Sequence, residues 1–144
     1  MGRNDPVKGH EFAYSLGLQD LRVTGVEVAP EGVTALGWVS EEEKWNLLQT
    51  AGCLIVPSGF EGQPMVILEA LAAGCPVIAS ENVPDLPSCV KTAPLDDIDS
   101  WVEAIANPIT EGLQSAVKKH HIDVVKNKWA TIYDNIIDSK TSTE

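Results

Sequence analysis

The stretch "PSGFEGQPMVILEALAAGCPVIAS" (residues 57–80) decides the fold. Pro57 closes "CLIVP" (53–57), a short apolar run bounded by breakers, which reads as a buried strand. "SGFEGQP" is a Gly/Pro-punctuated loop. "PMVILEALAAG" then predicts a helix, with Pro64 in its first turn and Gly74 as a left-handed stop. "PVIAS" (76–80) is a second buried strand. Strand, loop, helix and strand in this order imply an α/β layered domain with a mostly parallel sheet.

Two carboxylates stand out in this stretch. Glu61 lies in the loop, and Glu69 lies inside the apolar run of the helix, sharing a face with Met65, Val66, Ala72 and Ala73. No polar stripe runs from Pro64 to Gly74 to explain Glu69 as an ordinary solvent-facing residue. Ligands of open parallel α/β sheets bind outside the carboxyl ends of the strands, which is where Glu61 falls. Gly59 and Gly62 permit close backbone approach there, and the amides of the first helical turn favour an anion. A carboxylate accepts two hydroxyl hydrogen bonds at once, which suits a vicinal diol. Glu69 has no evident structural partner in the sequence, so it is expected to face a polar cleft.

Outward from this unit the same alternation continues. A helix is predicted at about Lys8–Leu16, stopped by Gly17, and strands at about Leu21–Val26 and Val33–Val39. Only some six residues separate those two strands, so they form either a hairpin or a very tight crossover. Ser40 and Glu43 make a capping box that opens a helix running to about Thr50. "CVKTA" (89–93) is a weaker strand, "DDIDSWVEAIAN" a short helix capped by an aspartate. Ile122, Val125, Trp129, Ile132, Tyr133, Ile136 and Ile137 recur at helical spacing, so residues 112–138 read as a C-terminal helical segment. The four tryptophans are expected to anchor the core.

The 144 residues suit one domain, and the net charge is −11. Residues 11–104 hold fifteen acidic side chains against Arg22, Lys44 and Lys91, a field that repels nucleic acid. No apolar run approaches a membrane span, and the first residues do not form a signal peptide. Cys53, Cys75 and Cys89 are odd in number and lack C-x-x-C spacing, which predicts reduced thiols in a cytoplasmic protein. His10, His120 and His121 lack metal-ligand spacing.

Residues 57–80 resemble the E-x₇-E signature of retaining glycosyltransferases of the GT-B fold, with Glu61 and Glu69 as its acids. "GRNDPVKG" (2–9) is similar to the companion G-R-x-x-x-x-K-G segment, and "VTALGWVSEEEKWNLLQTAG" to the strand, turn and helix between them. The resemblance runs from Gly2 to about Ser80, weakly on to Ile105. It implies a Rossmann-like, doubly wound sheet and a nucleoside diphosphate sugar as substrate. It also implies that Arg3 and Lys8 hold the diphosphate and carry its developing charge, so that no metal is needed. Glu69 would bind the ribose hydroxyls and Glu61 the transferred sugar, making Glu61, Arg3 and Lys8 the catalytic candidates. Gly62, Gln63, Pro64 and Met65 would position sugar and phosphate through backbone amides.

The resemblance covers only the donor-binding half of such enzymes, and the acceptor half is unmatched. It also places an apolar central strand directly ahead of Gly2, where this sequence has Met1. An apolar slot is therefore expected, closed either by altered pairing or by a strand from another chain. Association with an acceptor-domain protein or with itself is expected, with the helix at 121–137 as the contact. Two functions stay open: the donor half of a glycosyltransferase, and a non-catalytic nucleotide-sugar-binding or scaffold module acting through a partner. A sugar-nucleotide epimerase is the remoter alternative.

Overall fold

The computed structural model describes residues 5–62, 64–120 and 131. One 3-10 turn, Pro6–Lys8, is capped by Asp5, whose side chain accepts from the Val7 amide at 3.0 Å. The elements that follow are α1 (His10–Ser15), β1 (Leu21–Val23), β2 (Val33–Ala35) and α2 (Glu41–Thr50). Next come β3 (Leu54–Val56), α3 (Met65–Ala73), β4 (Val77–Ser80), β5 (Lys91–Ala93), α4 (Ile98–Ala106) and α5 (Leu113–Ala116). The predicted helix from Lys8 is thus two pieces, because Gly9 takes a left-handed conformation (φ +74°) between them. The long C-terminal helix read at 121–137 lies outside the described residues.

The sheet is parallel throughout, as expected, but divided. β3, β4 and β5 form one sheet in that order, and β1 pairs with β2 in another. β1 and β2 are parallel, with Leu21 opposite Val33 and Val23 opposite Ala35, so the hairpin alternative is excluded. The crossover is possible because β1 ends at Val23, earlier than the sequence suggests, while β2 starts at Val33 as expected, which gives the chain more residues with which to return.

Alternation along the inner strands explains their apolar runs. Val77 and Ala79 of β4 face a cluster containing Leu48 of α2 and Ile67 and Leu71 of α3. Ile78, between them, faces Leu16, Trp101 and Ala104 on the opposite side. A strand covered on both faces has no solvent side to encode, so all four residues of β4 are buried. Trp101 is fully buried, its indole N–H donating to the Pro94 carbonyl at 2.9 Å and its ring edge-on to Phe12. It is the core anchor expected of a tryptophan. Trp38 departs from that expectation at 74% exposed, and Trp45 is only partly covered. Trp129 lies outside the described residues.

Local signals set the helix ends. Ser40 and Glu43 complete the capping box of α2, and Gly74 (φ +81°) stops α3. Asp97 caps α4. Cys53, Cys75 and Cys89 are free thiols, and burial pushes Cys75 up to about 11.

Candidate functional site

The site assembles at the carboxyl end of β3. Pro57 ends the strand, Ser58 follows, and the loop then turns into α3. The segment Asp5–Gly9 is held against this end by the Gly59 amide, which donates to the Val7 carbonyl at 2.8 Å. Gly9 is required there. A Cβ on it would stand 1.9 Å from the Pro57 carbonyl oxygen, closer than any side chain can approach.

This docking brings Lys8 onto Glu61, with Nζ donating to Oε1 at 2.5 Å. The Ser58 hydroxyl, fully buried, donates to the same oxygen at 2.9 Å. Two residues separated by 53 positions in the chain are thereby joined by a charge-assisted bond. Lys8, Ser58, Glu61, Pro64 and Met65 line one end of a cavity of about 640 Å³. Gly62 lies exposed in the loop beside them, and Arg3 and Gln63 fall outside the described residues.

Glu69 sits elsewhere. Its Oε1 accepts from Lys44 Nζ of α2 at 3.0 Å, and Lys44 also pairs with Glu41 at 2.7 Å. Glu41, then Glu69, raise the Lys44 ammonium above its ordinary value. The expectation that Glu69 lacks a structural partner is therefore overturned: it ties α3 to α2. Its side chain keeps 27% exposure, and it is not among the described residues lining the cavity with Glu61. An apolar helix can carry it because α2 supplies the cation.

Two contributors escaped the sequence reading. Ser58 stands three residues before Glu61, an S-x-x-E spacing within the loop that could have flagged it. Lys44 gave no such signal, since a lysine in "SEEEK" reads as a solvated helix charge. Among the described residues, no group of three His, Cys, Asp or Glu is placed to hold a metal ion, and no helix is long and apolar enough to cross a membrane.

Fold and site together define a Rossmann-like α/β domain with an ionic cluster at the strand ends, where such domains take their ligands. Residues 10–111 match the family described as glycosyl transferases group 1, and the chain belongs to that family. It is 39% identical over 79 residues to O-antigen chain mannosyltransferase B of Escherichia coli, covering 55% of this chain and 20% of that protein. Over 91 residues it is 31% identical to the E. coli UDP-Gal:alpha-D-GlcNAc-diphosphoundecaprenol alpha-1,3-galactosyltransferase, covering 59% and 23%. The aligned region thus spans about a fifth of the length of these relatives. Among solved structures, sucrose-phosphate synthase of Thermosynechococcus elongatus superposes with a TM-score of 0.77 at 19% identity, over 96% of this chain and 45% of that one. The Anabaena protein Alr3699/HepE in complex with UDP-glucose gives 0.67 at 16% identity, over 99% and 47%. At such identities the likeness is one of fold, that of a GT-B glycosyltransferase domain.

Proposed function

We propose that this chain is the donor-binding half of a retaining glycosyltransferase, taking a nucleoside diphosphate sugar. The observation that carries this reading is the meeting of Lys8, Ser58 and Glu61 at the mouth of the cavity. A leaving diphosphate needs preorganised positive charge, and an acidic protein supplies little of it by chance. Lys8 is held at the strand end by the Gly9 contact and half exposed, so its ammonium can pass from Glu61 to a phosphate oxygen. Arg3 would be the second cation, and with it the site needs no metal. Glu61, released by Lys8 and steadied by Ser58, would accept hydroxyls of the transferred sugar. Backbone amides from Gly62 through Gln63 and Pro64 to Met65 would frame it, Pro64 contributing only its carbonyl. Glu69 would hold the ribose hydroxyls while keeping its bond to Lys44. That the Anabaena neighbour was solved with UDP-glucose supports this class of ligand.

The second reading, a non-catalytic nucleotide-sugar-binding module, differs in chemistry performed rather than in ligand bound. Binding is therefore tested first, by saturation-transfer NMR and thermal shift with UDP, GDP, ADP and their sugar conjugates, with and without EDTA. At ligand about 100 times its Kd, linkage adds roughly 2.7 kcal/mol, which in a chain of this size is a rise of about 5–10 °C. EDTA should leave the shift unchanged. No shift with any of them at millimolar concentration would count against both readings.

A further inference from the structure

We propose that Lys44 is a positioning residue that gives the nucleotide site its preference for ribose over 2′-deoxyribose. The inference rests on the reading above that Glu69 holds the ribose hydroxyls, and it assigns the residue that makes Glu69 fit to do so. Lys44 Nζ donates to Glu69 Oε1 at 3.0 Å and pairs with Glu41 Oε2 at 2.7 Å. Lys44 is the more covered partner, its side chain 16% exposed against 27% for Glu69. Among the described residues Glu69 Oε2 has no partner, so one oxygen is anchored while the other stays open.

The place of this pair argues against a plain tie between helices. α2 follows β2 and α3 follows β3, so each helix begins beyond the carboxyl end of a parallel strand, where such sheets take their ligands. Lys44 stands in the first turn of α2, which opens at Glu41. Glu69 stands four residues after Met65, where α3 opens, or about 6 Å along the helix axis. The pair therefore lies at the ligand end of both helices. The seam between them is already closed by Leu48, Ile67 and Leu71, which share one buried cluster. An ion pair that solvent still reaches adds little to such a seam.

The chemistry of a diol supplies a reason for the lysine. Fixing Oε1 removes the torsional freedom of the glutamate before the ligand arrives, so less is lost on binding. The carboxylate keeps open acceptor sites on Oε2, in a set orientation, for neighbouring hydroxyls. Lys44 also offsets charge. Glu41, Glu69 and an incoming diphosphate are all anionic, and like charges push a carboxylate toward its protonated form, which accepts fewer hydroxyls. A ribose offers two neighbouring hydroxyls and 2′-deoxyribose only one, so a fixed, ionised carboxylate separates them and a loose one does not.

The test is calorimetry on the full chain with UDP, GDP and ADP, each against its 2′-deoxy counterpart. The parent should bind the ribonucleotide that fits about tenfold more tightly than the deoxy form, the scale of one charge-assisted hydrogen bond. Lys44→Met should bring this ratio close to one by weakening the ribo form, and Lys44→Arg, which keeps the cation, should restore most of it. In a Glu69→Ala background the ratio should already be lost, and Lys44→Met should change it no further. A merely structural lysine would loosen α2 and weaken both forms alike, leaving the ratio intact. Urea titration checks that each variant folds, and Lys44→Gln, expected to show the same loss, replaces Lys44→Met where that variant does not. Loss of the ratio in Glu69→Ala but not on removing the Lys44 charge would overturn the role of Lys44 and leave the donor site standing. A parent without the preference, or a Glu69→Ala variant that keeps it, would overturn the inference through its ribose contact. A parent that binds none of these nucleotides would overturn the site reading and this inference with it.

Discussion

At Glu69 the ionic tie to Lys44 and the proposed ribose contact would share one carboxylate. Lys44 occupies Oε1 and keeps Glu41 as a second partner, so loss of Glu69 does not strand a cation. Glu69→Ala is therefore expected to cost no more than about 1 kcal/mol in a urea titration, the scale of a part-exposed ion pair. Nucleotide affinity should fall by roughly 1.5–3 kcal/mol in calorimetry, or about 10- to 150-fold. Unchanged affinity would reduce Glu69 to a helix tie. Gly9 governs the other half of the site. Gly9→Ala places a Cβ against the Pro57 carbonyl at a left-handed position, where the conformation alone costs about 1–2 kcal/mol and the clash adds to it. Urea unfolding should show a larger loss than that, and donor binding should weaken because Lys8 leaves Glu61. A variant as stable as the parent, with binding intact, would show that the loop docks otherwise. The position of Glu61 was legible, since a charged loop residue after a buried strand has a place in the architecture. The Lys44 pairing was not, because contact across 25 residues depends on how α2 and α3 pack.

At the scale of elements, the caps make stability depend on acid. Hydrogen bonds from the Ser40 amide and then its hydroxyl hold Glu43 below its ordinary value of 4.5. The Ser100 hydroxyl, then its amide, do the same for Asp97 below 3.8. A carboxylate lowered on folding stabilises fully above its ordinary value and loses that contribution as pH falls through the lowered one. Thermal melts from pH 6 to pH 3 should therefore decline below about pH 4.5, and the decline should be shallower in Glu43→Gln with Asp97→Asn. Both replacements keep a capping group that does not titrate. An unchanged slope would assign the acid sensitivity to other carboxylates. These ends were legible because a cap is written in a few adjacent residues, as are Gly74 and the Asp97 cap. The break at Gly9 was not, because it answers to a backbone approach by Pro57. Nor was the early end of β1, which is set by the path to β2 rather than by the apolar residues within it.

At the scale of the whole molecule, binding a donor and transferring its sugar make different demands. On the proposed reading, binding draws on Lys8, Ser58 and Glu61, gathered at the end of β3. Transfer also needs an acceptor hydroxyl fixed beside the anomeric carbon, and such orientation can supply roughly 7–11 kcal/mol of a barrier. The match to the curated relatives covers about a fifth of their length, and the large apolar side chains of Phe60, in the loop after β3, and Met65, on the cavity lining, are exposed. The purified 144-residue chain is therefore expected to bind a nucleotide sugar yet show no transfer above the uncatalysed rate, slow hydrolysis being the most it achieves. Adding an acceptor-domain protein should restore transfer, and the two should co-elute. Light scattering on a sizing column gives the assembly state, and a coupled assay for released nucleoside diphosphate, with and without acceptor, separates hydrolysis from transfer. A monomer that moves sugar to an acceptor unaided would show that the cluster at Lys8, Ser58 and Glu61 orients both substrates alone.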